Sequence, residues 1–176
     1  MIVPLCDIVC FKKLSRTVPY NYLLLLIFTL SLSFIVMFAT TKYNAKEVLM
    51  AAALTTVMVL SLTLYAFFTK EDISLERGSI PVMSSVFFFV TIYYIFNRED
   101  KTWGMVYCGI GAILFGMYLI YDTYRVIGGG GTFGHHSSHG YELDSEDYII
   151  AVMILYLDII NIFLYVLRLF GEMNRR

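Results

Sequence analysis

Charge is scarce in this sequence: Asp, Glu, Lys and Arg together make up 15% of its 176 residues, against about 25% in soluble domains. A short soluble domain buries one core and turns polar helix faces to water, whereas here whole runs lack charge on every side. That excludes an ordinary soluble fold. The net charge is -1, which gives no electrostatic footprint for nucleic acid. Cysteine is sparse as well: Cys6, Cys10 and Cys108 lie in or beside apolar segments, show neither metal-ligand spacing nor a disulfide framework, and read as free thiols. Neither G-x-S-x-G nor H-E-x-x-H occurs, so the hydrolytic machinery those motifs carry is missing and the chain reads as a non-enzyme.

What the sequence does have is hydrophobicity, at 59% of residues and a mean hydropathy of +0.71. The fold class that follows is all-α, a polytopic integral membrane helix bundle. Spanning a bilayer takes about 20 mostly apolar residues. Five segments qualify: Tyr22 to Ala39, Val48 to Phe68, Ile80 to Phe96, Trp103 to Asp122 and Tyr148 to Phe170. Short polar connections separate the first four, so consecutive helices are expected to be antiparallel neighbours. The last connection, residues 123–147, is longer and holds Gly128 to Gly131 and all three histidines.

Residues 1–20 break this pattern. Met1 to Phe11 is apolar but too short to span, and it precedes the basic Lys12, Lys13 and Arg16, the wrong polarity for a secretory signal. It reads as the tail of a helix followed by a basic linker, with residues 21–176 forming the membrane domain. Basic residues are spread evenly over the two sides of the predicted bundle, so loop charge sets no orientation.

Asp158 lies near the middle of the last apolar run. A charged side chain at that depth costs at least ~2.5 to 3.5 kcal/mol on insertion scales, so it is expected to face the bundle interior and to have a partner. Asp122, closing the preceding run, is the nearest candidate. Two carboxylates close together in low dielectric resist ionising at once, which makes the pair a proton-sensitive element. Tyr118, Asp122 and Arg125 share one stripe of the fourth helix, and Asp158, Asn161 and Tyr165 share one on the last. An alternative is that each Asp is held by local hydroxyls or by Arg125 and only fixes helix packing. Spacing leaves the depths unequal unless the fourth helix continues through Val126 and Ile127. Gly104, Cys108, Ala112 and Gly116 recur every four residues, the small-residue spacing that lets a neighbouring backbone approach, here expected to be the last helix.

At these residues the sequence becomes recognisable. Phe115 to Thr123, FGMYLIYDT, and Tyr141 to Gly171, with YLDIINIF at its centre, resemble the closing signature of the transmembrane Bax inhibitor motif family in its lifeguard branch. VPYNYLLLLIFT from Val18 and FTKEDI from Phe68 are similar to that branch's third helix and the end of its fourth. The resemblance implies a bundle around a central last helix, a calcium leak across an endoplasmic reticulum or Golgi membrane, and negative regulation of apoptosis. Calcium would be the permeant ion, with no cofactor, and the partners would be membrane lipid and cell-death or calcium-channel membrane proteins. It also implies that Asp122 and Asp158 form the pair that gates the path with pH. The first helix and most of the second have no counterpart here. A second-helix glutamate of some relatives is unmatched where this sequence reads Met1-Ile2-Val3, while Lys13 occupies roughly the place of a basic latch partner. A non-conducting membrane interaction protein is the alternative function.

The remaining clusters carry less. His135, His136 and His139 sit in a Gly-rich loop with no fourth ligand fixed, which reads as a solvated linker in preference to a metal site. Glu142, Asp144, Glu146 and Asp147 lack the EF-hand pattern, and Asp144 with Asp147 reads as a capping pair for the last helix. Gly128 to Gly131 follows a helix instead of preceding one, so it is not a phosphate cradle. Replacing the three histidines with Ser should leave zinc binding, measured by calorimetry on the purified protein, unchanged; loss of a high-affinity site would reverse this assignment.

Overall fold

The computed structural model describes residues 20–68, 74–96, 100–130 and 148–174. They form five helices: α1 (Tyr20–Thr40), α2 (Ala45–Phe68), α3 (Ser74–Phe96), α4 (Lys101–Gly130) and α5 (Tyr148–Asn174). Among the described residues, α1, α2, α4 and α5 are long and apolar enough to cross a membrane, and the apolar helical stretch of α3, Val82–Phe96, is shorter. Five full spans were expected from composition; α3 differs because its first turns carry Glu76 and Arg77. The fourth helix also exceeds its expected end, reaching Gly130. The long connection thus begins eight residues later than the sequence pattern suggests.

Helices form here because hydrocarbon offers no hydrogen bonds, so each backbone group must be satisfied within its own segment. Hydroxyls obey the same constraint. Thr29 Oγ1, Ser31 Oγ and Ser33 Oγ each donate to the carbonyl four residues earlier, at 2.8 Å, and Thr56 does the same at 2.8 Å. These residues therefore carry a polar atom into an apolar helix without leaving it unpaired.

The α1–α2 connection is a tight turn, with Lys42 N–H donating to Ala39 O at 3.3 Å and Tyr43 N–H to Thr40 O at 3.1 Å. Asn44 then caps α2. Its backbone N–H donates to Glu47 Oε2 at 3.2 Å, the reciprocal half of a capping box that exposes few orphan donors. Glu47 Oε1 also accepts from Asn174 Nδ2 at 2.7 Å, and Lys101 Nζ donates to Met173 O at 3.0 Å. The starts of α2 and α4 are thereby tied to the end of α5 at one face of the bundle. This arrangement makes successive helices antiparallel.

α4 and α5 form the most extensive helix pair; α2 packs on both, α3 packs on α4, and the main packing of α1 is on α5. The centre is shared between α4 and α5 instead of belonging to the last helix alone. Ala51, Ala112, Leu119, Ile162, Val166 and Leu167 make the principal core. Phe28 and Leu32 of α1 meet Ile149 and Met153 of α5 in a second cluster. Large apolar side chains such as Leu30, Phe34, Phe38, Val57, Phe67 and Phe89 stay exposed, as expected of a surface that meets acyl chains.

The small-residue stripe of α4 faces two partners. Gly104 meets the side chain of Glu172 and Gly116 meets Leu62 of α2, while Ala112 belongs to the core with Ile162 and Val166. Only the first part of the stripe serves α5, because four-residue spacing advances about 40° per step around a helix of 3.6 residues per turn. The tightest approach to α5 is at Gly111, where a Cβ would fall 2.6 Å from the Tyr165 ring. Gly111→Val should therefore destabilise the bundle by about 1 to 3 kcal/mol, read as a lower detergent unfolding midpoint. Gly109→Ala, whose Cβ meets nothing within 4 Å, should be neutral or slightly stabilising in the same assay.

Candidate functional site

Asp158 is buried, 6% exposed, in the middle of α5. Its carboxyl faces that of Asp122 on α4, and a side-chain hydrogen bond links the two. Two carboxyls this close repel each other when both are ionised. The second oxygen of Asp158, Oδ2, is buried without a hydrogen-bond partner. Leu119 and Thr123 on α4 and Ile162 on α5, neighbours of the pair along their helices, are buried, and Asp122 itself is half-buried.

Helix length explains how the two depths match. α4 continues eight residues beyond Asp122, about 12 Å, and α5 begins ten residues before Asp158, about 15 Å. Both aspartates consequently stand well inside their helices, at nearly the same level. The extension through Val126 and Ile127 supplies that match.

Tyr165, Tyr118 and Asn161 of the two predicted stripes have surroundings of their own. Tyr165 lies seven residues further along α5, about 10 Å away along the axis. It sits in an aromatic cluster instead: its ring stacks on Phe115 at 5.5 Å and meets Tyr107 and Phe87 edge-on at 5.7 and 5.8 Å. Its hydroxyl is 3.4 Å from that of Tyr107. Tyr118 is half-buried beside Phe115, at 6.0 Å between rings. Asn161 lines a cavity of about 280 Å³ with Tyr43, Tyr107, Tyr165 and Arg168. Arg125 lies in α4, and its side chain is outside the described residues, as are the loop histidines and the acidic cluster from Glu142 to Asp147. Among the described residues no group of three or more His, Cys, Asp or Glu is placed to hold a metal ion.

Sequence reasoning missed Arg168. Its guanidinium donates a hydrogen bond to the hydroxyl of Tyr94 on α3 and lies 4.9 Å from the centroid of that ring and 5.3 Å from that of Tyr107. The two rings are stacked on each other, 4.7 Å apart and nearly parallel at 5°. Periodicity could have found it: the polar stripe at positions 158, 161 and 165 continues to Arg168 and Glu172 on the same face of the helix. The aromatic run of α3 divides accordingly. Phe88 and Phe89 are exposed at 61% and 69%, while Phe87 and Tyr94 turn inward to pack with Tyr107 and Cys108. Glu47 and Asn174 were likewise overlooked, because their pairing joins positions 127 residues apart.

A family model described as "Inhibitor of apoptosis-promoting Bax1" matches residues 1–176, the whole chain. The chain belongs to that Bax inhibitor family. It is similar to Protein lifeguard 3 of Homo sapiens, 32% identical over 168 residues, which cover 94% of this chain and 51% of that protein. Protein lifeguard 3 of Mus musculus is 32% identical over 174 residues, 97% of this chain and 53% of that protein. Protein LIFEGUARD 3 of Arabidopsis thaliana is 36% identical over 160 residues, 89% of this chain and 59% of that protein. The chain thus spans little more than half the length of the curated relatives it matches. Bax inhibitor membership and the helical bundle together make this an integral membrane protein.

The contact between the two aspartates is directly testable. With Cys6, Cys10 and Cys108 replaced, Asp122→Cys and Asp158→Cys together should cross-link under mild oxidation. Asp122→Cys with Tyr165→Cys, about 10 Å further along α5, should not. Equal cross-linking of both pairs on a gel would refute the placement.

Proposed function

We propose that this chain forms the wall of a pH-sensitive calcium leak path across an endoplasmic reticulum or Golgi membrane, with the Asp122–Asp158 pair as its constriction. All five helices cross the bilayer in this reading, and the whole protein restrains apoptosis by lowering the calcium content of the store. The observation that carries the proposal is the carboxyl-to-carboxyl contact held deep between α4 and α5. Ionisable groups inside a membrane bundle mark ion and proton pathways by default. Family membership supports the link to cell death.

The mechanism follows from the chemistry of the pair. While one proton is shared, the carboxyls attract and hold the two helices together at this level. When both are ionised they repel. They then become hard oxygen ligands of the kind calcium prefers, at the point where a passing ion has lost most of its water. Protonation therefore decides both the geometry and the ligand charge of the constriction.

Calcium-dye flux in proteoliposomes over a pH series tests this. Asp158→Asn keeps size and hydrogen bonding while removing the ionisable group, so it should flatten the pH dependence of the flux. Asp122→Asn should do the same, and the double variant should add little, because residues acting as one unit are not additive. A folded Asp158→Asn protein, checked by circular dichroism, that keeps the wild-type pH dependence would overturn the mechanism and leave a membrane interaction protein as the better account.

A further inference from the structure

Two cavities lie in succession along α5. The outer one, about 430 Å³, opens beside the α1–α2 turn; Lys42, Glu47, Arg168 and Glu172 are its charged walls among the described residues, with Asn44 and Asn174 beside them. The inner one, about 280 Å³, is lined by Ala39, Leu164 and Leu167 as well as by Tyr107 and Asn161. Tyr43 and Arg168 line both. Gly171 gives the Tyr43 ring its seat, because the ring occupies the space that a Cβ there would fill.

Depth distinguishes the two chambers. The apolar stretch of α1 ends at Thr40 and that of α2 begins at Ala45, so the outer cavity stands where hydrocarbon gives way to headgroups, a layer about 5 to 8 Å thick on each side. From Asn174 to Asn161 the cavities follow about 20 Å of α5. The inner one therefore lies at the depth of acyl chains, and its leucines and alanine suit that depth.

Charge selects the ligand. A group of one sign entering the outer cavity meets two residues of that same sign, whereas a zwitterion matches both pairs at once. Glu47 is held by three hydrogen bonds from Asn44 and Asn174, and a carboxylate has about four acceptor sites, which leaves it able to take a further donor. The Tyr94 hydroxyl takes one N–H of Arg168; a guanidinium has about five, in a fork that fits phosphate oxygens.

We propose that the two cavities form one site for a zwitterionic phospholipid with a primary ammonium, a phosphatidylethanolamine. Its phosphate lies between Lys42 and Arg168, its ammonium on Glu47 and Glu172, and its glycerol and first acyl carbons in the inner cavity. A primary ammonium brings N–H donors to the carboxylates, which the quaternary nitrogen of choline cannot do. Free phosphoethanolamine shares the headgroup chemistry, but only a lipid also fills the apolar inner chamber. The site is independent of whether the bundle conducts ions.

Native mass spectrometry of the full chain in detergent, offered equal amounts of phosphatidylethanolamine, phosphatidylcholine and phosphatidylglycerol with matched acyl chains, reads the preference. Phosphatidylethanolamine should be retained about tenfold over either competitor, equivalent to about 1.4 kcal/mol. Glu172→Gln leaves the walls with a net positive charge and should move the preference to phosphatidylglycerol. Lys42→Glu, at an exposed side chain, should remove the preference for phosphatidylethanolamine without raising retention of phosphatidylglycerol. Equal retention of the three lipids by the unaltered protein would overturn the site, as would a preference that survives both substitutions. If Glu172→Gln fails to fold, Lys42→Glu decides alone, and an unchanged preference in that variant overturns the proposal. Soluble phosphoethanolamine should not displace the bound lipid when the two are at equal concentration; displacement there would overturn the lipid assignment in favour of a soluble ligand.

Discussion

Hydrocarbon cannot solvate a polar group, and the arrangement of this bundle depends on that one constraint. Isolated hydroxyls on α1 and α2 meet it by bonding to their own helix carbonyls. Ionisable and phenolic groups cannot be hidden so locally: Asp122 meets Asp158 between α4 and α5, and Tyr107, Tyr165 and Arg168 gather between α3, α4 and α5. The close approach that brings them together depends on Gly111, which admits the Tyr165 ring against the α4 backbone. Packing and polar chemistry are thus one problem here, solved at one interface.

Along that interface the two kinds of charge occupy separate levels. The carboxyl pair lies well inside α5 and the guanidinium about 15 Å further on, with Asn161 and the Tyr107–Tyr165 hydroxyls between them. An arginine placed directly against the aspartates would neutralise them. Held on aromatic faces, the guanidinium stands well apart from the acid pair.

Much of this was legible in the sequence. The apolar runs and the charge-free faces identify a helical membrane bundle, and the depth of Asp158 in its run marks it as an interior residue that needs a partner. The register of the partner was harder to read, because apolar periodicity stops at Asp122 while the α4 helix does not. Backbone hydrogen bonding carries α4 through Gly128 to Gly130 despite a cost of about 1 kcal/mol per glycine. Arg168 was hidden for the opposite reason: a basic residue near the end of an apolar run resembles an interfacial anchor, and only the position of Tyr94 on another helix shows that it is held inside. The pairing of Glu47 with Asn174 joins distant segments through side-chain geometry that no local pattern encodes. The four-residue spacing on α4 suggested one partner where the turn of the helix gives it two.

The packing of α1 bears on how the bundle assembles. Its Thr29, Ser31 and Ser33 hydroxyls are spent on its own backbone, and Phe28 and Leu32 pack mainly against Ile149 and Met153 at the beginning of α5. In lipid no hydrophobic force draws helices together; association relies on side-chain fit and interhelical hydrogen bonds. Of the described helices, α1 leaves the ribosome first, yet the surface it fits is made last. It therefore waits in the membrane, as an apolar helix surrounded by lipid, until synthesis reaches α5, and its docking is a late step in biogenesis.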